Sequence, residues 1–154
     1  MNVAVLLISS KILSGGEPDK GRSDLEAMLK EHEMNLNAYQ VIADDRQVIR
    51  QHLLELCDAG ENQVVLTLGG TGVRPTDWAP EATRDVIEKE VPGIGEAMRA
   101  ESLKKVRTAM LSRGIAGIRG ETLIVNLPGS SKGARENLGV LLPILDHTID
   151  KIAG

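Results

Sequence analysis

Two short, almost uninterrupted apolar runs constrain the fold of this chain more than any other feature. They are Val3–Ile8 and Gln63–Leu68, and each is followed directly by a polar or glycine-rich segment. A strand in a parallel sheet has this appearance, because helices cover both faces of the sheet and leave no side for polar residues. The two runs therefore predict buried strands in a parallel sheet.

The remaining segments complete an alternation of strands and helices. Tyr39–Ala43 predicts a further strand, while Ile115–Ile118 and Thr122–Asn126 predict a hairpin across Arg119-Gly120-Glu121. This alternation predicts one α/β domain over residues 1–154, a three-layer sandwich with a mostly parallel sheet.

Helices are expected from capping signals and apolar stripes. Ser23 with Glu26 and Asp44 with Gln47 resemble capping boxes, and Pro80 is typical of a first helical residue. The expected helices are Ser23–Glu33, one starting at Asp44, Pro80–Glu90, Gly95–Lys104, and one beginning after Pro128-Gly129. We expect Pro92-Gly93 to break a helix and Pro143 to kink or restart the last one.

Composition excludes several classes of protein. The net charge of −4 gives no overall attraction to nucleic acid, so no nucleic-acid partner is expected. The single cysteine, Cys57, excludes an internal disulfide and any cysteine-rich zinc site. The apolar amino-terminal run is too short to span a bilayer and has no basic segment before it, so we expect no membrane partner and a cytoplasmic protein.

Unusual polar and glycine-rich segments follow the predicted strands. They are Ser9-Ser10, Asp44-Asp45, Gly69–Asp77 and Asn126–Lys132. Open parallel sheets bind ligands beyond the carboxyl ends of their strands. We therefore expect these four segments to meet at one edge of the sheet and form a ligand pocket there.

The segment Gly69-Gly70-Thr71-Gly72 is the candidate centre of that pocket. Three glycines in four positions allow a sharp turn and leave backbone N–H groups free to face an anion. The segment lacks the Gly-Lys-Ser/Thr ending of a P-loop and does not form a dinucleotide-binding fingerprint. From the pattern alone, a purely structural turn is an equal alternative.

Two aspartates have both a structural and a chemical interpretation. Asp77 suits an Asx turn or a helix cap, and equally a carboxylate that holds Mg²⁺ between phosphates. For Asp44 the capping-box interpretation is favoured, with Asp45 as an acid in the first helical turn. Two acids beside an anion pocket nevertheless make a Mg²⁺ site at Asp44 and Asp77 a hypothesis.

The segment Pro128-Gly129-Ser130-Ser131-Lys132 opens the last predicted helix. A helix amino terminus with two hydroxyls and an ammonium group is a natural anion site, although an ordinary N-cap with a solvated lysine is an equal alternative. Arg113 and Arg119, on either side of the hairpin, are further candidates for an anionic ligand. No Ser/His/Asp or Cys/His arrangement is present, which argues against a covalent hydrolase.

The ordered combination of several segments resembles the family of molybdopterin adenylyltransferases, whose fold also occurs in the gephyrin G domain. The resemblance is carried by Val65–Gly72, Asp77, Ala79–Thr83, Val91-Pro92-Gly93, Met98, Glu101-Ser102-Leu103, Ala109–Arg113, Ala116–Gly120 and Leu123–Gly129. It spans nearly the whole chain. It differs from the family pattern at Ser10, where the family commonly has an aspartate after the serine, and at Trp78-Ala79 before Pro80.

This resemblance implies a molybdopterin-binding fold, usually trimeric, that acts in molybdenum-cofactor biosynthesis. It implies Mg²⁺-dependent transfer of AMP from ATP to the terminal phosphate of molybdopterin, with release of pyrophosphate. It assigns catalytic aspartates to Asp44 and Asp77. Ligand-binding residues are then expected at Ser9, Gly69, Gly70, Thr71, Gly72, Pro128, Gly129, Ser130, Ser131 and Lys132. A homotrimer and contacts with other pathway proteins are expected as well. The alternative is a relative that binds or carries molybdopterin without chemistry, which the absence of the acid at Ser10 favours.

Overall fold

Six strands form the central sheet of the computed structural model, which describes residues 1–154. They are β1 (Asn2–Ile8), β2 (Asn35–Ile42), β3 (Val64–Leu68), β4 (Lys89–Glu90), β5 (Ala116–Arg119) and β6 (Thr122–Leu127). Their order across the sheet is β2-β1-β3-β6-β5-β4. The first four strands in that order are parallel, whereas β5 and β4 run antiparallel to their neighbours. The prediction of a mostly parallel sheet is confirmed.

Helices cover both faces of this sheet. They are α1 (Ser10–Leu13), α2 (Arg22–Glu31), α3 (Arg46–Asp58), α4 (Ala79–Val86), α5 (Pro92–Leu103) and α6 (Ser131–Ala153), with a 3-10 helix at Arg107–Leu111. One apolar cluster joins the sheet to α2, α5 and α6, and a second joins it to α3 and α4. The expected three-layer arrangement is therefore confirmed. None of the helices combines the length and apolar character needed to cross a bilayer.

Strand β1 shows why its sequence is apolar throughout. Val3, Val5 and Leu7 belong to the first cluster, whereas Ala4, Leu6 and Ile8 belong to the second. Successive side chains of a strand point to opposite faces, and both faces here are covered by helices. The core contains no aromatic side chain, so branched aliphatic side chains fill it.

Strand register brings four chain segments to one edge of the sheet. Ile8 pairs with Ile42, Leu7 with Leu68, and Leu68 with Leu127. Each pairing joins the carboxyl ends of parallel neighbours. The segments that follow β2, β1, β3 and β6 therefore emerge side by side, as expected from the sequence.

Several predicted helix boundaries are wrong. Helix α2 starts at Arg22, with Gly21 at its N-cap position, and makes no capping box at Ser23. Helix α4 ends at Val86, and the short edge strand β4 follows it where the pattern predicts more helix. Helix α5 begins at Pro92 because proline tolerates the first helical turn, where its missing N–H has no helical partner.

Three further differences concern the first third and the end of the chain. The predicted loop after β1 contains the one-turn helix α1. Strand β2 begins at Asn35, four residues before the predicted start, on an edge of the sheet where polar residues are tolerated. Helix α6 continues through Pro143 without restarting, and Pro143 itself is exposed. Proline has no N–H to donate to the carbonyl four residues earlier in the helix, and on an exposed face water can donate to that carbonyl instead.

Candidate active site

The backbone of the glycine loop, residues 69–72, is oriented with its carbonyls toward the protein. The Gly70 carbonyl accepts from Ala79 N at 3.0 Å, and the Thr71 carbonyl accepts from Arg113 N at 2.8 Å. The Gly72 carbonyl accepts from Arg113 Nε at 2.7 Å. The N–H groups of residues 70–72 donate to no protein acceptor. Successive unpaired amides on a tight turn are the arrangement from which backbone anion sites are built.

Gly69 allows this loop to approach two neighbouring segments. Its φ of +96° lies in the left-handed region that favours glycine. A Cβ built on Gly69 would lie 2.8 Å from the Ile8 carbonyl oxygen, and one built on Gly129 would lie 3.2 Å from the Gly69 Cα. The glycine loop, the end of β1 and the start of α6 are thus in backbone contact.

The Asp77 side chain folds back toward Gly72 and Arg74, at the end of the glycine loop. Its Oδ2 accepts a hydrogen bond from Arg74 N at 2.9 Å. The same oxygen lies 2.9 Å from a Cβ built on Gly72, so any other residue there would displace the Asp77 carboxylate. The local Asx turn or helix cap considered for Asp77 is not what forms, because its side chain accepts from a backbone N–H three residues earlier and caps no helix. Its second oxygen, Oδ1, has no protein donor and is available to a ligand.

Asp45 takes the capping role predicted for Asp44, and no acid lies in the first turn of α3. Asp45 is the N-cap of α3, where its Oδ1 accepts from Val48 N at 3.0 Å. Asp44 lies before the helix and contacts Ser10, whose N–H donates to Asp44 Oδ2 at 3.0 Å. The capping-box prediction for Asp44 is therefore wrong, because the extended residue next to the helix, Asp45, supplies the cap. This leaves Asp44 at the edge of the sheet with Oδ1 unbonded.

Ser9 has a structural role within the same region. Its Oγ accepts from Ile12 N at 3.2 Å and caps α1. Its N–H donates to the Ile42 carbonyl at 2.9 Å, which extends the pairing of β1 with β2 by one residue. Ser9 therefore fixes the path of the chain at the edge of the sheet next to Asp44.

Two cavities lie on opposite sides of the start of α6. The first, which we call the tyrosine cavity, has a volume of about 410 Å³, and Gly129 and Ser131 line it. The second, the lysine cavity, has a volume of about 400 Å³, and Pro128, Ser130 and Lys132 line it. Successive residues of the predicted anion-binding segment thus face alternate cavities. Both volumes are typical of small-molecule sites.

The lysine cavity is the more basic of the two, and fewer of its lining residues are apolar. Its lining joins the glycine loop to the segment 99–112 and to α6. The lining includes Thr71, Gly72, Arg99, Ser102, Lys105, Thr108, Ser112, Ser130, Lys132 and Asn137. Lys105 pairs with Glu136 at 3.3 Å, whereas Lys132 forms no ion pair. Cationic and hydroxyl groups on several walls suit an anionic ligand with many oxygen atoms.

The tyrosine cavity combines an apolar floor with a charged rim. Leu7, Leu25 and Leu68 line the floor, and residues 17–21 form part of the rim. Tyr39 donates from its hydroxyl to Asp19 Oδ2 at 2.7 Å. Burial, the Asp19 hydrogen bond and the Asp19 charge together raise the pKa of Tyr39 above its ordinary value. Tyr39 therefore stays protonated and fixes the rim segment over the cavity.

Sequence reasoning missed most of the lining outside the strand ends. Residues of the segment 99–112 lie on α5 and the 3-10 helix, whose polar residues show no local ligand signature. The only sequence signal was the resemblance at Glu101-Ser102-Leu103 and Ala109–Arg113. The rim residues 17–21 gave no signal, because an exposed loop rich in glycine, proline and charge is common.

Arg113 and Arg119 bind protein groups, contrary to the anion-binding role considered for them. Arg113 Nη1 donates to Glu81 Oε2 at 2.6 Å, and Nη2 donates to the Asp77 carbonyl at 3.0 Å. Arg119 pairs with Asp58 at 3.0 Å and donates to the Val86 carbonyl. Neither arginine lines the two cavities.

The predicted site residues are only partly brought together. Thr71, Gly72, Pro128, Ser130 and Lys132 share the lysine cavity. Gly69 and Gly129 form the contact between the two segments, and Ser131 faces the tyrosine cavity. The three residues Ser9, Asp44 and Asp77 lie at the edge of the sheet outside both cavities.

Comparison with known proteins shows similarity to molybdopterin-related proteins over nearly the whole chain. Residues 4–147 match the family model described as "Probable molybdopterin binding domain". The molybdopterin adenylyltransferase of Helicobacter pylori strain J99 is 40% identical over 156 residues, which cover 100% of this chain and 89% of that protein. Gephyrin of Dictyostelium discoideum is 37% identical over 160 residues, covering 97% of this chain and 22% of gephyrin.

A solved structure agrees in fold as well as in sequence. The molybdopterin biosynthesis enzyme MoaB of Thermus thermophilus superposes with a TM-score of 0.92 at 41% identity. The match covers 98% of this chain and 95% of that one. Since the family model spans all but the ends of the chain and these similarities extend over the same length, the chain belongs to the molybdopterin-binding domain family.

Proposed function

We propose that this protein is a cytoplasmic molybdopterin adenylyltransferase of molybdenum-cofactor biosynthesis. It transfers AMP from ATP to the terminal phosphate of molybdopterin, and pyrophosphate is the second product. The full-length similarity to the H. pylori adenylyltransferase supports this activity. The product would then pass to the next protein of the pathway.

One observation of the site carries the proposal. The carbonyls of residues 70–72 all accept from protein donors while the amides of the same residues have none. Such a backbone turn binds the oxygens of a phosphate chain. Thr71 and Gly72 line the lysine cavity, and Gly69 touches Gly129, which lines the tyrosine cavity, so the turn lines one cavity and contacts the wall of the other. A reaction between two phosphates needs both substrates to place their phosphates next to the same protein segment.

The two cavities suit different substrates. We assign the lysine cavity to molybdopterin, because Lys132, Lys105 and the hydroxyl of Ser130 would hold its phosphate and polar groups. The tyrosine cavity takes the adenosine part of ATP, since its leucine floor suits an aromatic base. Gly129 and Ser131 line the tyrosine cavity at the start of α6 and would contact the ATP phosphates.

In this arrangement the protein needs no nucleophile of its own. An oxygen of the molybdopterin phosphate attacks the α-phosphorus of ATP, and the bond from that phosphorus to the bridging oxygen breaks. The leaving group is pyrophosphate. The amides of Gly70, Thr71 and Gly72 hold the phosphate oxygens in line, and Lys132 reduces the repulsion between the two anionic substrates.

The carboxylates of the site fit Mg²⁺ better than a metal held by protein alone. No group of three or more metal-ligating side chains is present. Asp44 and Asp77 each keep one oxygen without a protein donor, and neither forms an ion pair. Mg²⁺ is commonly held by one or two carboxylates together with phosphates and water. Asp44 and Asp77 would hold the ion, which when bound neutralises charge on the phosphates.

The proposal is tested by matched aspartate variants assayed with molybdopterin, ATP and Mg²⁺. Asp44→Asn and Asp77→Asn should each lower AMP transfer by at least about 100-fold, on the scale expected for loss of one electrostatic contact to a transition state. Asp45→Asn makes the same chemical change next door but keeps a good N-cap, so its rate should be that of the wild type. Wild-type rates in the first two variants would remove both catalytic assignments.

A carrier without chemistry is the second candidate function. Ser10 favours it, because this position offers a hydroxyl where the family pattern has a carboxylate. A carrier would bind molybdopterin and return it unmodified at every Mg²⁺ concentration. Adenylylated product from the wild-type protein excludes this alternative.

We also propose that the protein forms a homotrimer. The end of α5 and the following 3-10 helix expose Leu103, Val106, Met110 and Leu111, each with 45–66% of its surface accessible. Large apolar side chains exposed in one short segment are typical of an interface. Met110→Glu should lower the mass measured by light scattering from three chains toward one. An unchanged trimer would place the interface elsewhere.

A further inference from the structure

Arg113 is the single side chain that connects both ends of the segment carrying Asp77. Its Nε donates to the Gly72 carbonyl at 2.7 Å, and its Nη2 donates to the Asp77 carbonyl at 3.0 Å. Its backbone N–H donates to the Thr71 carbonyl at 2.8 Å. The start and the end of the Gly72–Asp77 segment are thus held to one residue that lies just before β5.

The third arm of the guanidinium anchors this assembly to a helix. Nη1 of Arg113 donates to Glu81 Oε2 at 2.6 Å, and Glu81 lies in the first turn of α4. Burial works to raise the pKa of Glu81, but the hydrogen bond and charge of Arg113 outweigh it and lower the pKa. The pair is therefore ionised at neutral pH, and α4, the loop and Arg113 form one connected unit.

The donors of Arg113 also decide which way the loop amides face. Of the three carbonyls at residues 70–72, Arg113 binds two, and it does so with groups of different type, a backbone N–H and Nε. Holding the Thr71 carbonyl toward the protein turns the N–H of the same peptide, which is that of Gly72, to the opposite side. Arg113 does not line either cavity, so its influence on a ligand passes through the loop.

We propose that Arg113 is a positioning residue, which holds the Gly72 amide of the phosphate-binding turn and the carboxylate of Asp77 in a fixed relation. This inference rests on the proposed function, because it assigns the reaction to those two groups. Only a planar guanidinium has three arms that reach Gly72, Asp77 and Glu81 together. A lysine ammonium at this position can keep one contact or two weak ones, and leaves the loop with several arrangements.

The test compares Arg113→Lys with Arg119→Lys. Arg119 is also partly buried and also makes three hydrogen bonds, to Asp58 and the Val86 carbonyl, but it touches neither the loop nor Asp77. In Arg113→Lys, kcat for AMP transfer should fall about 10- to 100-fold, the loss expected from a misplacement near 1 Å. The half-saturating Mg²⁺ concentration should rise several-fold. Both quantities should stay within about twofold of wild type in Arg119→Lys.

Hydrogen exchange on the ligand-free protein separates this inference from the proposed function. The Arg74 amide donates to Asp77 Oδ2, so its exchange reports whether the segment keeps its shape. Its exchange should accelerate at least tenfold in Arg113→Lys and stay unchanged in Arg119→Lys. If the wild type transfers no AMP, the proposed function fails while the exchange result still decides the structural role of Arg113.

Unaltered exchange in Arg113→Lys, or unaltered kcat and Mg²⁺ dependence in an active enzyme, would overturn the inference. A loss of activity with unchanged Mg²⁺ half-saturation would reduce Arg113 to general stability and overturn it too.

Discussion

Ser10 and Asp44 hold each other through two hydrogen bonds across the ends of neighbouring strands. The Ser10 N–H donates to Asp44 Oδ2 at 3.0 Å, and the Asp44 N–H donates to Ser10 Oγ at 2.9 Å. The exchange fixes Asp44 at the edge of the sheet, next to the end of β1. The Ser10 hydroxyl oxygen thus serves as the acceptor for the Asp44 N–H.

Restoring a carboxylate at residue 10 should strengthen Mg²⁺ binding. Ser10→Asp adds a negative charge beside Asp44, and one unit charge at about 4 Å contributes about 1 kcal/mol even in water. The half-saturating Mg²⁺ concentration for AMP transfer should therefore fall about fivefold or more. Ser10→Asn has nearly the same shape without the charge and should leave it unchanged. Equal Mg²⁺ dependence in the two variants would argue against a metal at Asp44.

The contact of Gly69 with Ile8 predicts an unusually large effect of a single methyl group. Gly69→Ala and Gly120→Ala both place a side chain at positive φ, +96° and +58°. A Cβ at Gly120 meets open space, whereas one at Gly69 lies 2.8 Å from the Ile8 carbonyl. Urea unfolding should show a loss of about 1–2 kcal/mol for Gly120→Ala and a clearly greater loss for Gly69→Ala. Equal losses would mean that the backbones of β1 and the loop can separate freely.

The assignment of one substrate to each cavity predicts that two lysine variants raise the KM of different substrates. Lys132→Ala removes a cation from the lysine cavity and should raise KM for molybdopterin about tenfold, the effect of one charge-assisted contact. Lys20→Ala removes a cation from the tyrosine cavity and should raise KM for ATP instead. Steady-state kinetics with each substrate varied in turn measures both. The reverse pattern would exchange the two substrates between the cavities.

The pH dependence of stability should contain an alkaline contribution from Cys57. Burial, above all, raises the pKa of its thiol to about 11. Between about pH 9 and 11 the unfolded chain releases the thiol proton while the folded chain retains it, so folding becomes less favourable as pH rises. The free energy of unfolding of the wild type relative to Cys57→Ala should fall by on the order of 2 kcal/mol across this window. A constant difference between the two proteins would contradict the burial of the thiol.

The general fold could be read from the sequence because its strongest determinants are local. Val3–Ile8 and Gln63–Leu68 are almost wholly apolar on both faces of each strand, which restricts them to a covered sheet. The hairpin that turns at Gly120 is signalled by residues adjacent in sequence. Helix starts were harder to predict. Asp44 and Asp45 are both good capping residues, and only the backbone of Asp45, at φ −142°, decides which one caps.

The candidate site was predictable where it lies at strand ends and unpredictable elsewhere. Gly69–Gly72 and Pro128–Lys132 follow buried strands directly, so topology alone places them side by side. Arg113 gave no such signal, because its role depends on carbonyls of residues about 40 positions away in sequence. Contacts of this kind arise from tertiary packing and have no counterpart in local pattern.

The most direct test of the central claim is a single-turnover measurement with the wild-type protein in excess over molybdopterin, with ATP and Mg²⁺ present. Adenylylated molybdopterin and pyrophosphate are quantified in the same samples. AMP transfer predicts that the two products appear together, in equal amounts, and that neither forms when molybdopterin is omitted. Full occupancy of the protein by unmodified molybdopterin, with no pyrophosphate released, would contradict the account.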